Sequence, residues 1–141
     1  MILFYRGSGR PLRKELLGKL RDAITLVKEG KWSPANPAKL LANWEELGQV
    51  FKIDLDLAED QTALLLAVLG EIKPGDYAGS HPPKRSYEQK TTNQELFAFR
   101  WSSGCFSNFE MYFKFSICGG TPGQKKLYIY SLHPNREGGD Q

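Results

Sequence analysis

The chain has 141 residues, of which 40% are hydrophobic and 25% are charged, as in ordinary globular proteins. One domain covering residues 1–141 is the simplest organisation for this length. No run of about 18 or more apolar residues occurs, so no membrane span is predicted, and the first residues do not resemble a signal peptide. We therefore expect a cytoplasmic protein in which Cys105 and Cys118 are buried free thiols.

Charge is distributed unevenly along the chain. Residues 1–31 contain eight Lys or Arg and three Asp or Glu, residues 32–72 contain two and seven, and residues 73–141 contain nine and six. The three segments therefore carry +5, −5 and +3. Basic ends around an acidic middle indicate one surface that faces a polyanion and another that does not, although the same charges could simply solvate helix faces.

Apolar residues recur at helical spacing in three segments of the first half. A first amphipathic helix with a basic outer face is predicted between Pro11, which suits the first helical position, and Gly30, which suits the residue after the last turn. A second helix is predicted from a cap at Asn36 to Gly48. A third, mostly apolar helix follows a sequence that resembles a capping box at Asp56.

The second half contains three segments in which apolar and polar residues alternate, as they do in β-strands. These segments cover residues 95–101, 110–117 and 126–132, and the Gly-Gly-Thr-Pro-Gly turn between the last two predicts an antiparallel hairpin. Alternation places Tyr112 and Lys114 on the same face of the middle strand. We predict an α+β domain in which N-terminal helices pack on a C-terminal antiparallel sheet of three or more strands.

Residues 74–93 interrupt this pattern with three prolines, two glycines and few apolar side chains. This composition excludes a helix and disfavours a regular strand. A loop of this length in a small domain is typically functional or mobile. The sequence therefore predicts a long functional or mobile loop.

Several enzyme classes lack their sequence signatures here. The chain has no GxGxxG, P-loop, CxxC or HExxH motif and only two histidines, so we predict no cofactor and no metal site. No nucleophile elbow is visible either. Chemistry must then come from the polar side chains of the loop and the strands.

Those regions are rich in Lys, Arg, His and Tyr, which suit metal-independent cleavage of RNA. That reaction needs a base that takes the 2′-hydroxyl proton, a cation that stabilises the pentacoordinate phosphate, and an acid that protonates the departing 5′-oxygen. We predict His133, Arg100, Lys114 and Tyr112 as the catalytic residues. Contacts to RNA bases and phosphates are predicted for Tyr77, Lys84, Arg85, Tyr130 and Arg136.

Five short motifs follow one another along the chain, namely VKEGK at 27–31, LLANWEELG at 40–48, DYAGS at 76–80, YFK at 112–114 and SLH at 131–133. Their order resembles that of the motility quorum-sensing regulator (MqsR) toxins, a group of RelE-like mRNA interferases. The resemblance implies a RelE-like fold, cleavage of messenger RNA, and neutralisation by a protein antitoxin.

The same resemblance implies roles for individual positions. Tyr112 matches an active-site tyrosine of the family, and His133 lies where the family has a functional lysine. The family lysine that precedes the loop serine corresponds to Gly79 here, so Lys84 or Arg85 would have to replace it. Without such a replacement the chain would be a non-catalytic module that binds RNA or a protein on the same scaffold, and this alternative stays open.

Overall fold

Helices precede the long strands in the computed structural model, which describes residues 9–88, 91–119 and 121–135. The helices are α1 (Arg13–Lys28), α2 (Pro37–Phe51) and α3 (Ala58–Glu71), and the strands are β1 (Trp32–Pro34), β2 (Phe97–Ser103), β3 (Phe109–Cys118) and β4 (Lys126–Pro134). The predicted α+β class, with N-terminal helices packed on a sheet, is confirmed. None of the described helices is both long and apolar enough to cross a membrane.

The start of α2 agrees with its sequence signals. The side chain of Asn36 accepts a hydrogen bond from the backbone N–H of Lys39 (3.2 Å), and Pro37 occupies the first helical position. The helix continues beyond Gly48, the predicted end, and closes at Lys52 in the left-handed conformation.

The other two helices start differently from the prediction. α1 begins at Arg13, two residues after Pro11, and α3 follows Leu57 rather than a capping box at Asp56. Neither N-cap side chain forms a capping hydrogen bond. Packing of the apolar helix faces, rather than capping, therefore accounts for these two starts.

The four strands are arranged in the order β1-β4-β3-β2. β2, β3 and β4 pair antiparallel, as predicted, but β1 pairs parallel with β4 and makes the sheet mixed. Trp32 lies opposite Leu127 and Pro34 lies opposite Ile129. The sequence predicts only a linker here because three residues show no alternation, and Pro34 is tolerated since β1 forms the edge of the sheet.

One face of the sheet packs against the helices. Its side chains, which include Phe99, Phe113 and Leu132, are fully buried with leucines of α1, α2 and α3. The other face is called the outer face below. It carries Ala98 and Arg100 of β2, Tyr112, Lys114 and Ser116 of β3, and Ser131 and His133 of β4.

A β-bulge interrupts the pairing of β3 with β4. Lys114 pairs with Ser131, whereas the next residue of β3 pairs with Ile129, so Tyr130 is an extra residue in β4. An extra residue reverses the faces on which the following side chains lie.

The bulge therefore determines where the end of β4 points. Strict alternation along β4 would place His133 on the same face as Ile129 and would turn Leu132 towards the opposite face. In the structure Ile129 and Leu132 are both in the core, and His133 pairs with Tyr112 on the outer face. The face that alternation predicts for Leu132 is wrong because the sequence does not reveal the bulge.

Residues 84–88 and 91–96, called the arm below, occupy the end of the predicted loop and the residues before β2. Their backbones pair with each other: the N–H of Leu96 bonds to the carbonyl of Lys84 (2.8 Å) and the N–H of Ser86 to that of Gln94 (2.9 Å). The arm thus has hydrogen-bonded structure that its composition does not predict.

Both cysteines are free thiols, as predicted. Cys105 is exposed in the turn after β2, and Cys118 is half-buried at the last position of β3. The prediction that both are buried is wrong because both lie at strand ends rather than in the core.

Candidate functional site

Three of the four predicted catalytic residues form one row across the outer face. Arg100 pairs with Tyr112 between β2 and β3, and Tyr112 pairs with His133 between β3 and β4. The rings of Tyr112 and His133 are stacked, with centroids 5.4 Å apart and planes inclined by 26°. Since neighbouring strands lie about 4.8 Å apart, Arg100 and His133 are on strands separated by about 10 Å.

His133 has a defined hydrogen bond but little exposure. Its Nδ1 lies 2.8 Å from the carbonyl oxygen of Pro134, and because a carbonyl only accepts, Nδ1 carries the hydrogen. Nε2 is then the ring nitrogen that can take up a proton. The side chains of His133 and Tyr112 are only 6% and 2% exposed, whereas Arg100 is exposed. The accessible end of the row is therefore at Arg100.

A cavity of about 250 Å³ opens beside this row. Tyr112 and Lys114 of β3 line it together with Lys84 and Leu96 of the arm. Small residues of the loop and of β2 complete the lining, namely Ala78, Gly79, Ser80 and Ala98. Two lysines from separate parts of the chain thus meet at one concave surface. Arg100 neighbours Tyr112 and Ala98 in the sheet but does not itself line the cavity.

Gly79 lies directly against the ring of Tyr77. A Cβ at this position would be 2.5 Å from the Tyr77 hydroxyl oxygen and 2.7 Å from its Cζ. The ring is held in place because it is buried, donates a hydrogen bond to the carbonyl of Ser80 (2.6 Å) and packs edge-on against Phe99. This loop conformation therefore has no room for a lysine at position 79, where the toxins that the motif order resembles have one. Tyr77, a predicted RNA contact, lies beneath the loop rather than on its surface.

Lys84 and Arg85, the two cations that could replace that lysine, have different surroundings in the arm. Lys84 is exposed and lines the same cavity as Gly79 and Lys114. The guanidinium of Arg85 instead donates a hydrogen bond to the backbone carbonyl of Asn93 (2.9 Å) across the arm. Lys84 is therefore the better candidate for a phosphate contact at the cavity.

Tyr130, another predicted RNA contact, is only 5% exposed. Its hydroxyl donates a hydrogen bond to Ser86 Oγ (2.7 Å) and also bonds to Thr91 Oγ1, which lies 2.9 Å from Ser86 Oγ. These three hydroxyls join β4 to the arm that carries Lys84. The structure thus places Tyr130 in an internal network. Arg136, the remaining predicted RNA contact, lies outside the described residues.

A polar cluster that sequence reasoning missed surrounds Glu71, the last residue of α3. Its carboxylate accepts hydrogen bonds from the indole N–H of Trp101 (3.0 Å), the hydroxyl of Ser103 (2.6 Å) and the backbone N–H of Cys105 (3.2 Å). Burial raises the pKa of this carboxyl group, but the hydrogen bonds lower it by more, so the pKa lies below its ordinary value. Glu71 joins α3 to the end of β2.

Among the described residues, no group of three or more His, Cys, Asp or Glu side chains could hold a metal ion. Comparisons of the chain with models of protein families, with curated proteins and with solved structures gave no match. The resemblance to the MqsR-like toxins therefore rests on the order of the motifs, and membership of that family stays a prediction.

Proposed function

We propose that this chain is an endoribonuclease that cleaves single-stranded RNA at the cavity beside the Arg100–Tyr112–His133 row. The observation that carries the proposal is the convergence of Lys84 and Lys114 on a cavity that Tyr112 also lines. A cavity of about 250 Å³ is smaller than the roughly 300–1,000 Å³ of pockets that enclose a small ligand, so it would hold a phosphate and part of one nucleotide of a longer strand. The rest of the RNA would leave the cavity on the side of Arg100, the exposed residue of the row.

The cations around the cavity supply the charge that a phosphate requires. Lys84 and Lys114 line the cavity, and Ala98, which pairs with Lys114, has a side chain small enough to leave space between the strands. Arg100 follows Ala98 by two residues on the same face of β2 and is exposed. It would contact the same phosphate from the solvent side. Charge-assisted hydrogen bonds from these groups would strengthen as negative charge develops in the transition state.

In the proposed reaction the 2′-oxygen of one ribose attacks the adjacent phosphorus, and the bond from phosphorus to the 5′-oxygen of the next nucleotide breaks. The 2′-hydroxyl proton goes to a base, and the leaving oxygen receives a proton from an acid. We assign these two roles to the stacked pair of Tyr112 and His133, with Nε2 as the proton-accepting atom of His133. Each such group contributes roughly 10²–10⁴-fold.

The direct test uses purified protein and long single-stranded RNA in the presence of EDTA, with and without ribosomes. We expect shortened RNA with 2′,3′-cyclic phosphate and 5′-hydroxyl ends, and much slower cleavage by Lys84→Ala. RNA that remains intact in both conditions would contradict the proposal.

We further infer that the substrate is messenger RNA in the cytoplasm and that a protein antitoxin controls the activity, in line with the motif order. Inducible expression of the wild-type chain should stop growth and degrade messenger RNA, whereas His133→Ala should allow growth at the same protein level. Equal growth of both strains would contradict a toxin role.

The second candidate is a non-catalytic module on the same scaffold. Two observations favour it: Gly79 has no side chain, and His133 is hardly exposed. This candidate predicts that RNA stays intact and that expression is harmless. His133→Ala would then leave the affinity for RNA nearly unchanged. Binding that weakens steeply with salt would indicate phosphate contacts, and binding that does not would indicate a protein ligand.

A further inference from the structure

A second concave surface lies between α2 and the segment that joins it to α3. This groove has a volume of about 440 Å³. The joining segment approaches α2 closely, since a Cβ on Gly48 would lie 3.0 Å from the carbonyl oxygen of Ile53. It is held by the side-chain amide of Gln61, which donates a hydrogen bond to the carbonyl of Leu55 (2.8 Å). The groove is therefore a preformed feature of the fold.

The groove combines exposed apolar side chains with carboxylates. Trp44 is buried in its wall, but Leu41 is 56% exposed and Ile53 is 38% exposed. Both line the same groove, and exposed apolar side chains gathered in a groove with a polar rim are typical of surfaces that bind a partner. The carboxylates in the lining are those of Glu45, Asp54 and Asp56.

The negative charge of this groove favours positively charged partners. Of the ten described residues that line it, none is Lys or Arg, so no cation in the lining balances the charge of the three carboxylates. The surrounding segment, residues 32–72, carries −5 in total. Such a surface repels nucleic acid and attracts cationic partners. It is distinct from the cavity on the outer face, with which it shares no lining residue.

We propose that the groove binds a segment of a partner protein in which large apolar side chains are flanked by Lys or Arg. The apolar side chains would cover Leu41 and Ile53, and the cations would face Glu45, Asp54 and Asp56. A second copy of this chain is a poorer occupant. Its basic helix α1 already buries Leu16 and Leu20 in its own core and exposes a single large apolar residue, Leu12 at its N-cap, which is too little to cover both Leu41 and Ile53. The partner would leave the cavity on the outer face accessible, because the two surfaces share no lining residue, and the proposal does not depend on ribonuclease activity.

The test measures binding of a fluorescent synthetic helical peptide that has a leucine stripe flanked by lysines. A second peptide with glutamate in place of each lysine serves as the reference. We expect fluorescence anisotropy to give a Kd for the lysine peptide at least about tenfold lower than for the glutamate peptide. Leu41→Ala and Glu45→Lys should each raise the Kd of the lysine peptide about tenfold.

Two matched variants identify the surface. Val50→Ala removes an apolar side chain of α2 that is 49% exposed but does not line the groove, and Glu59→Lys reverses an exposed charge of α3 outside it. Both should retain the wild-type Kd. The proposal is overturned if the lysine peptide shows no saturable binding, if all variants bind it equally, or if an RNA oligonucleotide displaces it from the groove. A wild-type dimer in sedimentation that Leu41→Ala dissociates would also overturn it, because the occupant would be a second copy.

Discussion

The imidazole of His133 is stacked on the ring of Tyr112, with the centroids 5.4 Å apart across β3 and β4. The extra residue Tyr130 makes this pairing possible, because it brings the end of β4 to the outer face. The two rings cover each other, which is consistent with their low exposure. Tyr112 also lines the cavity, so its ring connects the cavity wall to His133. A mechanism that uses His133 therefore also depends on Tyr112.

The loop conformation at Gly79 predicts a stability effect. Gly79→Ala places a Cβ against the fixed ring of Tyr77, and such overpacking typically costs about 1–3 kcal/mol. Gly75→Ala is the matched control, because a Cβ there meets nothing within 4 Å, and we expect it to be neutral or stabilising by up to about 1 kcal/mol. Urea denaturation measures both. Equal free energies of unfolding for the two variants would show that the loop accommodates a side chain.

The hydroxyl network at Tyr130 predicts that the arm loosens when the network is broken. Tyr130→Phe removes the hydroxyl that bonds to Ser86 and Thr91, at a cost of about 1–3 kcal/mol. Backbone amides of the arm, such as that of Ser86, should exchange hydrogen faster. Tyr128→Phe, on the same strand but half-buried, should change stability by no more than about 0.5 kcal/mol. Unchanged exchange in the arm of Tyr130→Phe would contradict the anchoring role.

Glu71 predicts a dependence of stability on pH. Its pKa is lower in the folded chain than in the unfolded chain, so its stabilising contribution is complete above the unfolded pKa and is lost as pH falls through the folded pKa. Between about pH 5.5 and about pH 3, the wild type should lose more free energy of unfolding than Glu71→Gln. If the free energy of unfolding fell equally with pH in the wild type and in Glu71→Gln, the lowered pKa of Glu71 would be contradicted.

The two adjacent cations of the arm should differ in their effect on RNA binding. Lys84 lines the cavity, whereas Arg85 bonds to the backbone of Asn93. If Lys84 contacts one phosphate, Lys84→Ala should reduce the slope of log K against log salt by about 0.7 for a single-stranded RNA. Arg85→Ala should leave the slope nearly unchanged. The reverse result would show that Arg85, and not Lys84, contacts the phosphate.

Local periodicity was sufficient to predict most elements of the fold. The three helices and the three antiparallel strands repeat their apolar residues at spacings of 3.6 and 2, which a single sequence reveals. β1 was missed because a three-residue strand that ends in proline has no periodicity and forms only through its pairing with β4. The bulge at Tyr130 was missed for a similar reason, since it is visible only in the register with β3.

The candidate site was predictable to the extent that it follows from strand pairing. Arg100, Tyr112 and His133 come together because their strands are neighbours. The internal roles of Tyr77 and Tyr130 were not predictable, because their hydroxyl partners lie on the loop and the arm, whose backbone path composition does not define. Because the backbone path of the arm was not predictable, the sequence did not show whether Lys84 or Arg85 lines the cavity.

The most direct test of the central claim compares cleavage of an RNA with that of the same sequence carrying 2′-O-methyl groups, both in EDTA. The proposed reaction uses the 2′-hydroxyl as the nucleophile, so the protein should bind both strands and cleave only the unmodified one, and Lys84→Ala should cleave it more slowly. Cleavage of both strands, or binding of the unmodified RNA without any cleavage, would contradict the account.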